Sequence, residues 1–438
     1  TEGSGPAPRG AGPDPSVLLL TMTKPLPELL APAGNPDKLA TALAYGADAV
    51  YLGGRALSLR AKTEGFSFPE LRSAVELAHG KGAKVYFALN LLAREEHLAG
   101  VEAYLEELAD IDVDGVIIAD PGIAAMARRR APHIPIHIST QANTSNSAAA
   151  AFWRDLGARR VNVARELGAP RIRAMVEKTP GLEFEVFVHG AMCMAVSGRC
   201  LLSSHLTKRS GNLGHCTHPC RYDYAVTAVR LEERLRPGGD TWEVRCGGEF
   251  SQVMAAEDLC LIRYLNWFRA NGIASLKIEG RMKTPSYLAQ VTDTYRTALD
   301  DLAAGTFRPG LYLEELQQLA TRPLTSAFFT PEPVIQRPAL SRELTKNVVG
   351  RLVEPVGTDC WVMDVKHRFE TVAPLEILLP GLRRPVLRPG DYGVENAEGL
   401  GLDTVHGGMR VTFRCGHPGL EPGLFLRAGH PGAYGSRD

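Results

Sequence analysis

Short apolar stretches alternate with amphipathic helical stretches from residue 26 onward, and this alternation constrains the fold more than any other feature. A strand, a helix and a second strand normally form a right-handed crossover between parallel strands. Eight such strands predict a (β/α)8 TIM-like barrel, with a doubly wound open sheet as the alternative. The predicted strands are Glu28–Pro32, Ala49–Leu52, Lys84–Leu89, Gly115–Ala119, Ile136–Thr140, Arg160–Ala164, Glu185–His189 and Ser275–Glu279. No G-x-G-x-x-G or Walker-type loop follows an early strand, which disfavours a nucleotide-binding fold.

The same pattern predicts how the chain divides into regions. Residues 1–24 are rich in Gly, Pro and Ser and are predicted to form a disordered tail. The barrel is expected over residues 25–304, with a long insertion at 190–274 between the seventh and eighth strands. Residues 305–337 are Pro-rich and are expected to be a linker with one short helix. Short strands separated by Gly and Pro turns predict a small β-barrel domain over residues 338–430.

Charge and hydropathy exclude several classes of protein. Lys plus Arg and Asp plus Glu each total 49, so the formal net charge is zero and a polybasic protein is excluded. No apolar run reaches the length of roughly 18 residues that marks a membrane-spanning helix. The run Val17–Leu20 is too short for the core of a signal peptide. We therefore expect a cytoplasmic protein without a membrane partner.

Cysteine is concentrated in the insertion. None of the eight cysteines precedes Cys193, and six lie between Cys193 and Cys260. In a reducing compartment, clustered thiols indicate a metal site or a catalytic site. Isolated buried thiols, the alternative, would account for Cys360 and Cys415 but not for the cluster. Because an insertion that follows a barrel strand lies at the carboxyl-terminal mouth, the thiols gather where barrel active sites lie.

The spacing of these thiols favours one kind of metal site without excluding another. Structural zinc sites usually pair their ligands as C-x2–4-C, and only Cys216 and Cys220 have that spacing. The wider gap between Cys193 and Cys200, and the spread of thiols along the insertion, favour an iron–sulfur cluster. Zinc remains the alternative.

Polar residues follow most of the predicted strands, at the rim that forms a barrel's active site. They are Asn35, Asn90, Gln141, Asn143, Arg165, Glu166, Lys277, Glu279, Arg281 and Lys283. Helix capping is sufficient to explain Asn35. It does not explain the cations Arg165, Arg281 and Lys283, whose convergence on one rim predicts an anionic ligand such as a carboxylate, a phosphate or a nucleic-acid backbone.

Two further observations concern the substrate. His189 ends the seventh strand and is expected to point at the mouth, where it could contact substrate. Residues 199–236 contain seven Arg or Lys residues against three acidic residues, which permits contacts with RNA phosphates.

Four segments resemble the peptidase U32, or collagenase-like, family over about residues 26–300. They are ELLAPAGNPDKLATALAYGADAVYLGG, the motif HGAMCMAVSGRCLLSS followed by N-x-G-x-C-x3-CR-x-x-Y, AAEDLCLI and SLKIEGRMKTPSY. The family name implies proteolysis, yet the sequence has no G-x-S-x-G elbow and no H-E-x-x-H helix. Other members of the family are oxygen-independent hydroxylation proteins, and one barrel with one β domain is most similar to those that act on tRNA.

The resemblance implies a 4Fe–4S cluster on Cys193, Cys200, Cys216 and Cys260, with Cys220 as the alternative fourth ligand. It implies hydroxylation of the tRNA wobble uridine to 5-hydroxyuridine with prephenate as the hydroxyl source.

Roles for the rim residues follow from this resemblance. The candidate catalytic residues are His189 and Glu279, for proton transfer, and Arg281. Arg281, Arg165 and Lys283 are expected to bind anionic groups of prephenate or RNA. The other candidate substrate-binding residues are Asn35, Asn90, Gln141, Asn143 and Lys277.

Three alternatives remain open. Within the hydroxylation proteins, the substrate could be ribosomal RNA or a ubiquinone precursor. A U32-type peptidase would cleave collagen or gelatin without a cluster. A non-catalytic RNA-binding module would hold structural zinc in place of iron.

Overall fold

The computed structural model describes residues 24–55, 65–193, 195–200, 202–209, 215–221, 257–331, 335–336 and 348–428. The predicted tail over residues 1–24 therefore lies almost wholly outside the described residues, and so does much of the insertion, including Cys246. Of the described helices, none combines the length and apolarity that crossing a membrane requires.

Eight parallel strands close into a barrel, as the alternation predicts. Strands β1 to β7 pair in chain order, and β9 pairs in parallel with both β7 and β1, which closes the ring. The strands of the barrel region are β1 Glu28–Pro32, β2 Ala49–Leu52, β3 Lys84–Leu89, β4 Gly115–Ile118, β5 Ile136–Ile138, β6 Ala158–Asn162, β7 Glu183–Ala191, β8 Asp258–Cys260 and β9 Ser275–Ile278.

Helices alternate with these strands, and one further helix lies in the insertion. They are α1 Pro36–Ala44, α2 Phe68–His79, α3 Glu95–Leu98, α4 Val101–Ile111, α5 Pro121–Arg130, α6 Ser147–Asp155, α7 Ala169–Lys178, α8 Leu202–Thr207, α9 Leu265–Ala270, α10 Pro285–Ala304 and α11 Pro309–Leu319. Several begin at a side chain that accepts a hydrogen bond from the first turn, which satisfies an otherwise unpaired backbone N–H. These caps are Asn35, Ser67, Asp120, Asn146 and Thr284.

The insertion returns to the barrel at its mouth. Strand β7 is nine residues long, and its last part pairs antiparallel with β8, so that His189 lies opposite Cys260 and Ala191 lies opposite Asp258. Two further strands, β10 Leu324–Thr325 and β11 Ile335–Gln336, extend this sheet beyond β8.

Residues 305–331, within the predicted linker 305–337, include a helix and a strand that pack against the barrel. Helix α11 packs Tyr312 and Leu316 into the main hydrophobic core, and Leu324 is buried in β10 beside β8. The apolar spacing within α11 supplies the contact face that a free linker would lack.

The C-terminal region forms a separate antiparallel sheet, in agreement with the predicted β domain. Its strand order is β16-β15-β20-β12-β13-β19-β17, and β14 pairs with β18. These strands are β12 Val348–Gly357, β13 Cys360–Val365, β14 Phe369–Glu370, β15 Leu375–Leu378, β16 Val386–Leu387, β17 Gly393–Glu395, β18 Thr404–Val405, β19 Arg410–Arg414 and β20 Phe425–Ala428. The core of this sheet also receives Tyr45, which follows α1, and Ala289 of α10.

Candidate active site at the barrel mouth

The barrel interior below the mouth is charged. Lys277 of β9 donates to Glu185 of β7 at 2.7 Å, and Asn162 of β6 donates to the same carboxylate oxygen at 2.8 Å. The Lys277 ammonium also lies 4.4 Å from the centre of the Tyr51 ring. Lys277 is only 4% exposed and Glu185 only 2%. Burial lowers the pKa of Lys277, and the Glu185 carboxylate opposes that shift.

This placement bears on the predicted role of Lys277 in substrate binding. Its ammonium is held by a buried carboxylate and lies over an aromatic ring, so it supports the floor of the mouth. A substrate that reached Lys277 would have to compete with Glu185.

His189 lies at the level of the mouth, as its position in β7 predicts. Its ring is buried between Tyr287 and Tyr295, with ring centroids 6.1 and 5.5 Å away. Burial and the nearby Lys283 ammonium lower the pKa of His189 to about 3, so the imidazole is neutral at physiological pH. Among the described residues no hydrogen-bond partner reaches His189 Nδ1. A proton-transfer role would therefore begin from the neutral ring.

The loop after β9 carries the predicted residues Glu279, Arg281 and Lys283. Glu279 donates its backbone N–H to the His189 carbonyl at 2.8 Å, which ties this loop to β7. The Arg281 guanidinium is buried 6.0 Å from the centre of the Tyr51 ring. The Lys283 ammonium lies 5.0 Å from the centre of the Tyr287 ring. The structure thus brings these two cations to one side of the mouth.

An acidic residue that the sequence did not single out lies beside Lys283. Asp258 of β8 places one carboxylate oxygen 3.9 Å from the Lys283 ammonium. Its other carboxylate oxygen and the Tyr287 hydroxyl are buried without a hydrogen-bond partner in the described part of the chain. The signal for Asp258 lay in the motif AAEDLCLI, but its position depends on the pairing of β8 with β7.

The opposite side of the mouth is formed by loops after β3 and β5. Asn90 donates to the Ser139 hydroxyl at 3.4 Å. The side-chain oxygens of Asn90, Gln141, Asn143 and Thr144 are buried, and no partner for them lies within the described residues. Such atoms require water or a ligand. Thr144 was not predicted from the sequence.

Arg165 and Asn35, two more predicted residues, differ in their surroundings. Arg165 donates to the Ala191 carbonyl at 3.0 Å and stacks 3.8 Å from the centre of the Phe187 ring, while its Nε finds no partner in the described chain. The Asn35 side chain instead accepts from the Lys38 backbone N–H at 2.9 Å. Asn35 is therefore a helix cap, the alternative that the sequence left open.

The thiols of the insertion that the structure describes do not form disulfides. Cys193 is exposed, whereas Cys200, Cys216 and Cys220 are partly buried. Cys260 is buried, and burial raises the pKa of its thiol to about 11 even though Tyr295 hydrogen-bonds to it. Within the described residues no group of three or more His, Cys, Asp or Glu side chains is arranged to hold a metal ion. The structure therefore presents candidate ligands but no assembled site.

Two thiols have hydrogen bonds that suit a metal ligand. The Leu202 N–H donates to Cys200 Sγ at 3.3 Å, and the His218 N–H donates to Cys216 Sγ at 3.4 Å. Backbone donors to sulfur stabilise the thiolate and tune an iron–sulfur centre. The chemistry of this donor set fits a cluster bound by thiolates.

Comparison with known proteins assigns the family. Residues 34–338 match the model described as Peptidase family U32. The chain is 43% identical over 310 residues to "tRNA hydroxylation protein P1" of Bacillus subtilis, which covers 70% of this chain and 72% of that protein. It is 36% identical over 391 residues to "tRNA hydroxylation protein P" of Escherichia coli, covering 81% and 86%. It is 31% identical over 305 residues to "Collagenase" of Porphyromonas gingivalis, covering 67% and 70%. The chain belongs to peptidase family U32.

Proposed function

We propose that this chain is an RNA hydroxylase that converts the wobble uridine of tRNA to 5-hydroxyuridine. The observation that carries the proposal is the similarity to two proteins named for tRNA hydroxylation, over 70% and 81% of the chain. The family match spans residues 34–338, which include strands β2 to β9 and the cysteine-bearing insertion.

The charges at the mouth support an anionic substrate. Arg165 lies on the loop after β6, and Arg281 and Lys283 lie on the loop after β9, so that these loops flank β7. Arg165 Nε is buried with no partner among the described residues. The carboxylates of prephenate and the phosphates of RNA are both anions that such cations bind. We propose prephenate as the hydroxyl source on this basis and on the family resemblance.

We further propose that the thiols hold a 4Fe–4S cluster. Cys193, Cys200 and Cys216 would supply three ligands, and the fourth would be Cys260 or Cys220. When bound, the cluster would supply redox or Lewis-acid chemistry to the oxygen donor. The two candidates for the fourth ligand differ in their surroundings, because Cys260 is buried in β8 whereas Cys220 lies partly exposed in the same segment as Cys216.

The substrate assignment is tested with tRNA nucleosides. The gene is deleted in the source organism, and the tRNA is digested and analysed by mass spectrometry. The purified protein is then added anaerobically to tRNA from the deletion strain, with and without prephenate. We expect 5-hydroxyuridine to appear only with prephenate. If tRNA from the deletion strain gains no hydroxyuridine under either condition, the assignment is wrong.

The cluster is tested by iron, sulfide and zinc content and by the visible spectrum of anaerobically isolated protein. Alanine variants of Cys193, Cys200 and Cys216 should each lose iron. Of the Cys220→Ala and Cys260→Ala variants, the one that loses iron identifies the fourth ligand. Cys360→Ala, in the C-terminal sheet, is the matched control and should retain it. A colourless wild-type protein with one zinc would favour an RNA-binding module instead.

The relative named Collagenase keeps peptidase activity as a second candidate. A peptidase would cleave gelatin in metal-free, cluster-free protein. We expect no cleavage by the wild type or by Cys193→Ala. Cleavage by both would favour the peptidase and count against the cluster.

A further inference from the structure

A carboxylate on the barrel holds the midpoint of the segment between the first two thiols. Glu166 lies in the loop after β6, and Ser197 lies between Cys193 and Cys200 in the turn Val196–Gly198. One Glu166 oxygen accepts the Ser197 backbone N–H at 2.6 Å, and the other accepts the Ser197 hydroxyl at 2.8 Å. Both oxygens of Glu166 are thereby engaged by one residue of the insertion.

The backbone of Ser197 indicates that this contact determines the shape of the turn. Its φ is +45°, in the left-handed region that residues with a side chain rarely adopt. The residue is also only 2% exposed. An unfavourable backbone conformation persists only where the surroundings hold it. Here the two hydrogen bonds to Glu166 do so.

One further contact joins the same segment to the barrel, and another fixes the end of β7 just before it. Arg199 donates to the Gln141 carbonyl at 3.0 Å, and Arg165 donates to the Ala191 carbonyl at 3.0 Å. The segment is thus attached at its middle to the loop after β6 and near its end to the loop after β5, and the end of β7 just before it is attached to the loop after β6. Among the described residues, Glu166 differs from the other two donors and acceptors in these contacts, because it accepts from both the backbone N–H and the hydroxyl of one residue.

We propose that Glu166 is a positioning residue that holds the segment from Cys193 to Cys200 in the conformation in which both thiols bind one cluster. The inference rests on the proposed cluster, and it assigns to Glu166 a role that is distinct from contact with substrate. A free segment would lose conformational entropy on binding metal, and fixing its midpoint beforehand removes part of that cost. Replacing a residue that orients a metal ligand through such hydrogen bonds typically lowers the metal affinity by roughly 10–100-fold.

The test uses Glu166→Ala and the isosteric Glu166→Gln, with Glu177→Gln as the matched control. Glu177 lies on α7, where it is exposed and pairs with Arg173 at 2.7 Å. Ser197→Gly is the fourth variant, since it keeps the backbone donor, loses the hydroxyl and suits the left-handed backbone. Urea unfolding of each full-length variant verifies that the barrel remains folded.

Two readouts are measured. The first is amide hydrogen exchange over residues 195–200 in metal-free protein, where Glu166→Ala should exchange about 10-fold faster or more if the carboxylate holds the turn. The second is the rate of iron loss to a chelator after anaerobic reconstitution, followed in the visible spectrum. We expect loss about 10-fold faster or more in Glu166→Ala, a smaller change in Glu166→Gln and Ser197→Gly, and none in Glu177→Gln.

The outcomes separate this inference from the proposed function. If Glu166→Ala retains iron as the wild type does, the positioning role is overturned and the cluster stands. If exchange over residues 195–200 is unchanged in Glu166→Ala, the contact does not hold the turn and the inference is again overturned. If reconstituted wild type binds no iron, the proposed cluster fails first and the positioning role fails with it.

Discussion

At the scale of single residues, the buried charge inside the barrel has a consequence for stability. A paired buried charge is tolerated, but removal of one partner leaves the other buried and uncompensated. Lys277 and Glu185 form such a pair at 2.7 Å, and Arg160 lies 3.6 Å from the other carboxylate oxygen of Glu185. Since neither side chain is exposed, the pair couples the floor of the mouth to the stability of the fold.

Replacement of Lys277 tests whether this residue is structural. Lys277→Met should lower the free energy of unfolding by about 1.5–3 kcal/mol, because Glu185 loses a charged hydrogen bond while Arg160 remains 3.6 Å away. The double variant with Glu185→Gln should recover much of that loss. Lys84→Met is the control, since Lys84 is exposed and lies 3.9 Å from Glu28, and it should cost less than about 1 kcal/mol.

Urea unfolding measures these differences. A Lys277→Met variant with wild-type stability and impaired prephenate binding would instead support the predicted role in substrate binding.

Gly190 is a second residue whose identity the mouth requires. Its φ is +107°, and a Cβ at this position would lie 2.5 Å from the Glu279 carbonyl oxygen. Gly190→Ala should therefore destabilise the protein by about 2–5 kcal/mol, from left-handed strain together with overpacking. Gly181→Ala is the control, since Gly181 also has a positive φ, of +83°, but a Cβ there would have no neighbour within 4 Å. It should lower the free energy of unfolding by only about 1–2 kcal/mol. Thermal unfolding checks this, and equal losses would contradict it.

At the scale of elements, the regular strands were predictable and the mouth strands were not. The predicted strands overlap β1 to β7 and β9, because each is a short apolar run and all but β7 are followed by a helical pattern. Strand β8 has three residues and β10 has two, so neither is long enough to show a repeating pattern of apolar residues. Their pairing depends on the extension of β7 beyond the barrel, which no local pattern specifies.

The candidate site divides in the same way. Polar residues at strand ends, such as Arg165 and Asn143, were predictable because strand ends meet at one rim. Tyr287, Asp258 and the partnership of Glu166 with Ser197 were not, because each depends on how the insertion returns to the barrel. Even the cap at Asn35 could be assigned only once its hydrogen bond was seen.

Helix α10 links the two strands that form the back of the mouth. The Tyr295 hydroxyl donates to the Val188 carbonyl of β7 at 2.8 Å and also hydrogen-bonds to Cys260 of β8. Tyr295→Phe should reduce the free energy of unfolding by about 0.5–1.5 kcal/mol, because the buried Val188 carbonyl loses one donor and keeps the Leu261 N–H.

Tyr392→Phe is the control for this variant, since the Tyr392 hydroxyl donates to the Ala373 carbonyl at 2.6 Å in the C-terminal sheet. Both variants should lose similar stability. Only Tyr295→Phe should speed amide exchange at Leu261, whose N–H donates to Val188. If exchange at Leu261 is the same in both variants, α10 does not link β7 to β8 through this hydroxyl.

At the scale of the whole molecule, a buried ion network joins the C-terminal sheet to the barrel helices. Arg427 of β20 donates to Glu315 of α11 at 2.8 and 3.0 Å. Arg384 donates to Asp293 of α10 at 2.6 Å and to Glu315 at 3.1 Å. The Tyr45 hydroxyl adds a contact with the Leu378 carbonyl at 2.8 Å. Because α10 also carries Tyr287 and Tyr295, the sheet is connected to the mouth through one helix.

Glu315 makes this connection sensitive to acid. Burial alone would raise the pKa of its carboxyl group, but Arg427 and Arg384 outweigh burial and lower the pKa to about 2. A carboxyl group with a pKa depressed in the folded state stabilises the protein above its unfolded pKa, and the contribution is lost as pH falls toward the folded value. The stabilising contribution of Glu315 is therefore complete above about pH 4.5 and declines between there and about pH 2.

Glu315→Gln tests this linkage. Above pH 5 the variant should unfold more easily than the wild type, because Arg427 and Arg384 lose their shared carboxylate. The difference in unfolding free energy between the wild type and the variant should shrink by about 3 kcal/mol as the pH falls to 2. This follows because each unit by which the folded pKa lies below the unfolded pKa contributes about 1.4 kcal/mol. Glu314→Gln, at the exposed neighbouring position, should show no such convergence. Urea unfolding at a series of pH values measures both variants, and a constant difference across that range would mean that Glu315 does not link the two parts of the molecule through its charge.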